Sequence, residues 1–267
     1  MQARLIFPLT AVVLSVLGGC ATHSSMARIK PGNALGQAPS GLQFSAYAPS
    51  GARLPSELKH MVLPNNAPTE YQLEQQDNQT VLHAKVDGSA SGVRKVVDAD
   101  PNALPWLVWH WKTSALLTQA DNTQSDKEDA PARIILNFSG DRSTLSFREQ
   151  TLNLLVRLVT GEDMPYASLV YIWENHLPVG TIIDSAHSSR VKMVVAASGP
   201  TQVGQWVTLP RNVVEDYRRA FGEAPGRLTS IGVMSDANCT AGRTEAWYGD
   251  IELSAYGDQD VLAAVVH

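Results

Sequence analysis

Two tryptophans stand at positions that suit contact with a ligand. Trp206 and Trp247 each lie beside turn residues, so we expect both side chains to be partly exposed. An indole ring is flat and apolar with one polar edge, and it can stack on the C–H face of a sugar ring. Both residues are therefore candidates for glycan binding. The alternative is that they fill the protein core, which is the commoner use of an aromatic side chain.

Arg133 is a charged residue that needs a partner. It stands at the start of the apolar run 134–136, and three residues separate it from the end of the acidic loop 126–129. A guanidinium group that enters a core strand requires a counter-charge. Arg133 either forms an ion pair that pins the loop, or it clamps a carboxylate or sulfate group of a ligand. Arg211 is a second candidate arginine for ligand binding.

A set of oxygen donors follows later in the chain. Asp236, Asn238 and Thr240 alternate along an extended segment and could point in one direction, towards a polar ligand. Calcium is the cation that such oxygens would suit, with Asp236 and Asp250 as the candidate metal ligands. The alternative is an Asx-type turn that stabilises the loop. The acidic loop 121–129 has no EF-hand spacing, which favours a solvated loop, and no other cofactor is indicated.

Motifs for the common hydrolases are missing. The segment 88–92 resembles a nucleophile elbow, but Ala90 stands where that motif needs serine, and no histidine pair has the spacing of a zinc protease. Cys239 has no neighbouring histidine or basic cluster that would lower its pKa, so we expect an inert thiol. The sequence therefore favours a protein without catalytic activity.

The N-terminus has the anatomy of a bacterial lipoprotein signal peptide. One charge, Arg4, precedes an apolar run over 5–17 that is too short to span a bilayer. The run closes on Leu17-Gly18-Gly19-Cys20, which resembles the lipobox of lipoproteins. We expect a signal peptide over 1–19 and a lipidated, palmitate-bearing Cys20. The alternative is a buried strand or helix over 5–17.

This N-terminus predicts a location in the cell envelope. Ala21 rather than Asp follows Cys20, and the sorting rule for such lipoproteins then favours the outer membrane, facing the periplasm. The formal net charge of −5, without a basic stripe, argues against nucleic-acid binding. Only Cys20 and Cys239 are present, which excludes a disulfide scaffold. A hydrophobic core must therefore hold the fold together.

The elements that must position these residues are mainly strands. Residues 20–40 are rich in Ser, Gly and Pro and predict a flexible tether, 41–256 form one domain, and 257–267 form a tail. Short apolar runs separated by turns predict an antiparallel β-sandwich of jelly-roll type, and the closing segment Gly249-Asp250-Ile251-Glu252-Leu253 resembles the last strand of galactose-binding-like jelly rolls. The predicted strands are 42–47, 70–75, 79–86, 92–98, 106–112, 132–138, 168–174, 191–197, 204–209, 228–235 and 247–253.

Two short helices are predicted as insertions. The first, over 146–159, opens with Ser146 as N-cap, ends before Gly161 and places Leu152, Leu155, Val156 and Val159 on one face. The second, over 213–221, has Asn212 as N-cap and Gly222 as the terminating residue. In the strand 106–112, alternation places Trp109 and Trp111 on the core side and His110 and Lys112 on the opposite side.

Several ordered motifs resemble an uncharacterised bacterial envelope family, domain of unknown function 3047. They include WLVWHWK at 106–112, DKEDAPAR at 126–133, ASLVYIW at 167–173, RNVVEDYRRAFG at 211–222, GVMSD at 232–236 and AWYGDI at 246–251. In that family the segment that starts at the position of Asp236 usually reads Asp-x-Asp-Asn-Thr-Gly. Here Asn238 replaces the second acid, so the resemblance makes a metal role for this loop doubtful.

Three functions remain open on the sequence alone. The leading hypothesis is non-catalytic binding of a glycan or another polar envelope component, marked by exposed tryptophans with Arg or Asp in one cleft. A carbohydrate-active hydrolase would instead need two carboxylates flanking a groove, and Asp216, Asp236 and Asp250 are the acids to inspect. A scaffold for another envelope protein would show an exposed apolar patch.

Overall fold

The computed structural model describes residues 41–255, without the side chains of Val159 and Thr160. Two β-sheets face each other across a common core. The first sheet contains, in spatial order, β11 (Val207–Asn212), β6 (Trp106–Thr113), β13 (Arg243–Ser254), β4 (Gln79–Asp87) and β3 (Glu70–Gln76), with β1 (Gly41–Leu42) paired to β13. The second contains β2 (Lys59–Val62), β5 (Ala90–Ala99), β12 (Leu228–Asp236), β7 (Ala130–Phe138), β8 (Ala167–Glu174), β10 (Val191–Ser198) and β9 (Ile182–Asp184).

The core forms because one face of each sheet is apolar and aromatic. Trp109 and Trp111 on β6 are fully buried, as the alternation predicts. They meet β8 of the other sheet, where the ring of Trp109 stacks on Tyr171 at 5.1 Å and that of Trp111 lies 6.0 Å from Trp173. These cross-sheet aromatic pairs join the two sheets into one domain.

The predicted β-sandwich of jelly-roll type is confirmed, with corrections in detail. The strand predicted over 42–47 is a two-residue strand followed by the 3-10 helix Phe44–Ala46. Strands β2 and β9 were not predicted, because β2 is mostly exposed and β9 has three residues, too few for a visible period. The sheets are not wholly antiparallel, since β8 and β10 pair in parallel.

Both helices lie where their caps predict them. In α1 (Phe147–Thr160), the Ser146 side chain accepts a bond from the Glu149 amide, and Gly161 ends the helix with φ 75°. In α2 (Val213–Phe221), Asn212 caps the start and Gly222 ends the helix with φ 73°, a left-handed conformation that favours glycine. A second 3-10 helix spans Arg142–Thr144.

Some predictions fall outside the described residues. These are the signal peptide over 1–19, the lipidated Cys20, the tether to residue 40 and the tail over 257–267. Within residues 41–255, neither helix has the length and apolar character needed to cross a bilayer.

Candidate functional site

The outward face of the first sheet carries a continuous row of aromatic and polar side chains. Cross-strand pairing places Lys112 of β6 beside Trp247 of β13, Trp247 beside His83 of β4, and His83 beside Gln72 of β3. Trp206 adjoins this set from the residue that precedes β11. We call Trp206, Lys112, Trp247, His83 and Gln72 the aromatic row. It spans the full width of the sheet.

Neighbouring side chains of the row pack against one another through stacking and cation–π contacts. The ring of Trp247 stacks on His83 with centroids 4.5 Å apart and an interplanar angle of 15°. On its other side lies the Lys112 ammonium group, 4.4 Å from the Trp247 ring and 5.1 Å from the Trp206 ring. Lys112 therefore occupies a slot between two indoles, and both tryptophans remain partly exposed.

A carboxylate network fixes the orientation of Trp247 and His83. Glu74 accepts a 2.9 Å bond from Trp247 Nε1, and its other oxygen lies 2.9 Å from His83 Nδ1. Glu245 contacts the second ring nitrogen of His83 at 2.6 Å. Burial opposes ionisation of Glu74, but hydrogen bonds from Trp247, His83 and Gln72 outweigh it and hold the pKa of Glu74 below its usual range. The network gives the row a preset geometry.

Lys112 has an unusual environment for an ammonium group. It donates to Gln76 Oε1 at 2.9 Å, and among the described residues no carboxylate lies within ion-pair distance of it. Burial lowers the pKa of Lys112, although the charges of Asp77 and Glu74 act in the opposite direction. An ammonium group has three donors, so this one keeps donors for a ligand.

Two more polar atoms near the row have no partner in the described part of the chain. They are His110 Nε2 on β6 and Trp206 Nε1, whose rings lie 5.5 Å apart. Burial lowers the pKa of His110, with a smaller opposite effect from the charge of Asp250. Gly249 makes room for this ring, because a Cβ atom there would lie 1.8 Å from His110 Nε2. Both atoms are closed to solvent, as are the equally unpartnered indole nitrogens of Trp109 and Trp111 in the core, so they cost stability and do not by themselves mark a ligand site.

Arg133 lies elsewhere, inside the second sheet. It forms a bidentate ion pair with Asp236, in which Nε donates to Oδ1 at 2.7 Å and Nη2 donates to Oδ2 at 3.0 Å. The two residues are 5% and 3% exposed. Arg133 also donates to the backbone oxygen of Glu128, which ties the acidic loop to β7. This is the ion pair that the sequence offers as the alternative to a clamp for a ligand group. A role of Arg133 or Asp236 in ligand binding stays a prediction.

The loop after β12 is organised by Asp129. This buried carboxylate accepts bonds from the amides of Cys239 and Thr240 and from the Thr240 hydroxyl group at 2.7 Å. Asn238 is exposed. Burial together with the nearby Asp129 and Asp236 raises the pKa of the Cys239 thiol to about 11, so the thiol stays protonated at neutral pH.

The acids proposed for a hydrolase are dispersed. Asp216 is paired with Arg211 through bonds of 2.8 and 2.6 Å, and it also accepts from the Tyr171 hydroxyl group. Asp236 faces Arg133, and Asp250 accepts from Ser45. Across residues 41–255, no three histidine, cysteine or acidic residues gather as a metal site. The calcium hypothesis stays untested.

Sequence reasoning found part of the row. It named Trp206 and Trp247 and placed His110 and Lys112 together on one side of β6. It missed His83 and Gln72 of the row and the supporting Glu74, because polar residues of separate strands become neighbours only once the strand order is known. The two tryptophans are therefore accompanied by Lys112 of the row and by the supporting Glu74, instead of the expected Arg or Asp.

The comparison with protein families agrees with the motifs in the sequence. The profile of "Protein of unknown function (DUF3047)" matches residues 56–252. The chain belongs to this family. A search of curated proteins found no match.

Solved structures with a similar fold include carbohydrate-binding modules and a xyloglucanase domain. A family 11 carbohydrate-binding module of a Clostridium thermocellum cellulosomal cellulase has 8% identity and a TM-score of 0.42, covering 83% of this chain and 95% of that one. A family 30 module from the same organism has 10% identity and a TM-score of 0.33, covering 74% and 86%. The xyloglucanase domain of the Sinorhizobium fredii effector NopAA, in complex with cellobiose, has 7% identity and a TM-score of 0.40, covering 73% and 91%.

Proposed function

We propose that this DUF3047 protein binds a glycan, without catalysis, on the outward face of its first sheet. The observation that carries the proposal is the slot between Trp206 and Trp247, which holds the Lys112 ammonium group. The lysine stem is flexible, so the ammonium group can withdraw and open the two indole faces to a sugar ring. Its free donors can then bind sugar hydroxyl groups at the edge of the slot.

The fixed geometry of the side chains around Trp247 favours ligand binding over catalysis. Glu74 and Glu245 both contact His83, whose ring fills the space between the two carboxylates. A glycosidase needs that space for the scissile bond and, in inverting enzymes, for a water molecule. The held Trp247 instead offers a rigid aromatic surface, which lowers the entropic cost of binding.

We also propose the cell envelope as the place of action. The features that support this are the signal peptide, the lipobox and Cys20 of the sequence. A lipid at Cys20 would tether the sandwich to the outer membrane, on the periplasmic side, where envelope glycans are accessible to it.

Affinity electrophoresis of the full chain tests the binding proposal, with a neutral β-glucan, alginate and soluble peptidoglycan strands as probes. We expect one of them to retard the wild type. Trp247→Ala and Trp206→Ala should each weaken that binding about tenfold, since a lost aromatic contact worth about 1.5 kcal/mol has this effect. Lys112→Met, which keeps the apolar stem, should weaken it as well.

Phe147→Ala is the matched control, because Phe147 is an exposed aromatic residue outside this face. It should bind like the wild type. Equal retardation of the wild type and the Trp247 and Trp206 variants would exclude the row as the binding site.

A further inference from the structure

Helix α1 presents an apolar stripe to solvent. Phe147, Leu154, Leu155 and Leu158 are 86%, 56%, 55% and 74% exposed. Their separations of seven, eight and eleven residues place them on one side of the helix. We call these four side chains the α1 stripe. Large apolar residues that cluster in this way mark an interaction surface, unlike single exposed ones.

Polar contacts on the opposite side hold the helix in place. Glu149 is 6% exposed and accepts bonds from the Ser188 hydroxyl group at 2.9 Å and the Ser189 amide at 2.8 Å. Asn153 accepts from the Met164 amide at 2.8 Å. Burial opposes ionisation of Glu149, but these bonds outweigh it and lower its pKa, so the carboxylate stays charged at neutral pH. The hydrogen bonds of Glu149 and Asn153 therefore fix the orientation of the helix, and they leave the α1 stripe facing outward.

Within α1 itself, the exposed charges have one sign. The helix contains three charged residues, Arg148, Glu149 and Arg157, and the single acid is the one turned inward. Both arginines are exposed beside the stripe. Arg157 also lies 3.8 Å from the carboxylate of Asp163, just after the helix, in an exposed ion pair of the kind that contributes little stability. Phenylalanine and leucine next to arginine are typical of helices that lie in the plane of an anionic membrane surface.

We propose that α1 docks on an anionic lipid surface, with the α1 stripe inserted at the boundary of headgroups and acyl chains. Four apolar side chains on a single helix are few beside the roughly 20 to 30 residues per side of a standard protein–protein interface. A membrane surface needs only one such helix face. This inference does not depend on the lipid at Cys20 or on glycan binding.

Docking through α1 leaves the aromatic row free. The helix connects β7 to β8, two strands of the second sheet, and its holding contacts reach the segment just before β10 of that sheet. The row lies on the outward face of the first sheet. The protein can therefore contact lipid with one side and a ligand with the other.

Hydrogen–deuterium exchange of the full chain tests the proposal, because it reports on α1 separately from any attachment through the N-terminus. The probes are vesicles of phosphatidylglycerol with phosphatidylethanolamine, and vesicles of phosphatidylcholine alone. We expect exchange over residues 147–160 to slow at least tenfold with the anionic vesicles only. The protection should disappear in Leu154→Ser/Leu158→Ser and in Arg148→Glu/Arg157→Glu.

Val179→Ser is the matched control, since Val179 is 58% exposed and lies outside the helix. It should keep the protection, and all variants should keep the thermal stability of the wild type because the altered side chains are exposed. Unchanged exchange over 147–160 with anionic vesicles would overturn the proposal. Protection without vesicles that rises with protein concentration would overturn it in favour of a second copy of the chain.

Discussion

At the scale of single residues, Arg133 shows how a buried charge is compensated. Its guanidinium group forms an ion pair with Asp236, and both side chains are buried. Replacing Arg133 by Met leaves the carboxylate buried and unpaired, which should lower the free energy of unfolding by about 3–5 kcal/mol. Urea denaturation measures this loss. The double variant Arg133→Met/Asp236→Asn should recover part of it, and a single variant as stable as the wild type would contradict the buried pair.

His110 makes a pH dependence testable. Burial lowers its folded-state pKa below the ordinary value of about 6.5, so the unfolded chain binds the proton more readily. The contribution of neutral His110 to the free energy of unfolding is therefore fully present above pH about 6.5. It is lost as the pH falls from there towards the lower pKa of the folded state. Thermal unfolding between pH 8 and pH 5 should show a smaller loss of Tm for His110→Gln than for the wild type. Burial lowers the pKa of His60 in the same direction, so the variant keeps part of the slope.

Some residue roles could be read from the sequence and others could not. Alternation within β6 correctly assigned Trp109 and Trp111 to the core, because a strand shows its two faces with a period of two. The partners of Lys112 could not be predicted, since they come from strands far apart in the chain. The same holds for Arg133, whose need for a partner was visible but whose partner lies 103 positions away.

At the scale of elements, the helices were predicted well because their ends carry local signals. Asn212, Gly222, Ser146 and Gly161 occupy the capping positions that the sequence indicates. The exposure of α1 could not be predicted. Its Leu152 and Val156 are partly buried, whereas Leu155 of the same predicted face is 55% exposed. How far a helix is pressed onto a sheet depends on its tertiary contacts.

The difference between the two helices predicts different costs for losing a cap. Asn212 accepts from the Glu215 amide at 3.1 Å, and α2 packs Val213 and Tyr217 into the core. Asn212→Ala should therefore lower the free energy of unfolding by about 1 kcal/mol in urea denaturation. Ser146→Ala at α1 should instead speed local amide exchange with little effect on global unfolding. An equal loss in the free energy of global unfolding for the two variants would contradict the peripheral position of α1.

At the scale of the whole molecule, the N-terminus predicts that a lipid at Cys20 attaches the protein to a membrane. Cys20→Ser, made together with Leu154→Ser/Leu158→Ser so that α1 cannot hold the membrane, removes the thiol that would carry the lipid and should move the protein from membrane fractions to the soluble fraction. Immunoblots of fractionated cells measure the distribution, with Cys239→Ser as the matched control that keeps the membrane location. Retention of the Cys20 variant in high salt would contradict the lipid anchor.

The function proposed for the whole molecule is glycan binding by the aromatic row of the first sheet. Glycan-array binding of the full chain, with and without calcium, tests it most directly when the wild type is compared with Trp206→Ala/Trp247→Ala. We expect saturable binding of the wild type to one glycan class and its loss in the double variant. No binding to any glycan, or equal binding by both proteins, would contradict it.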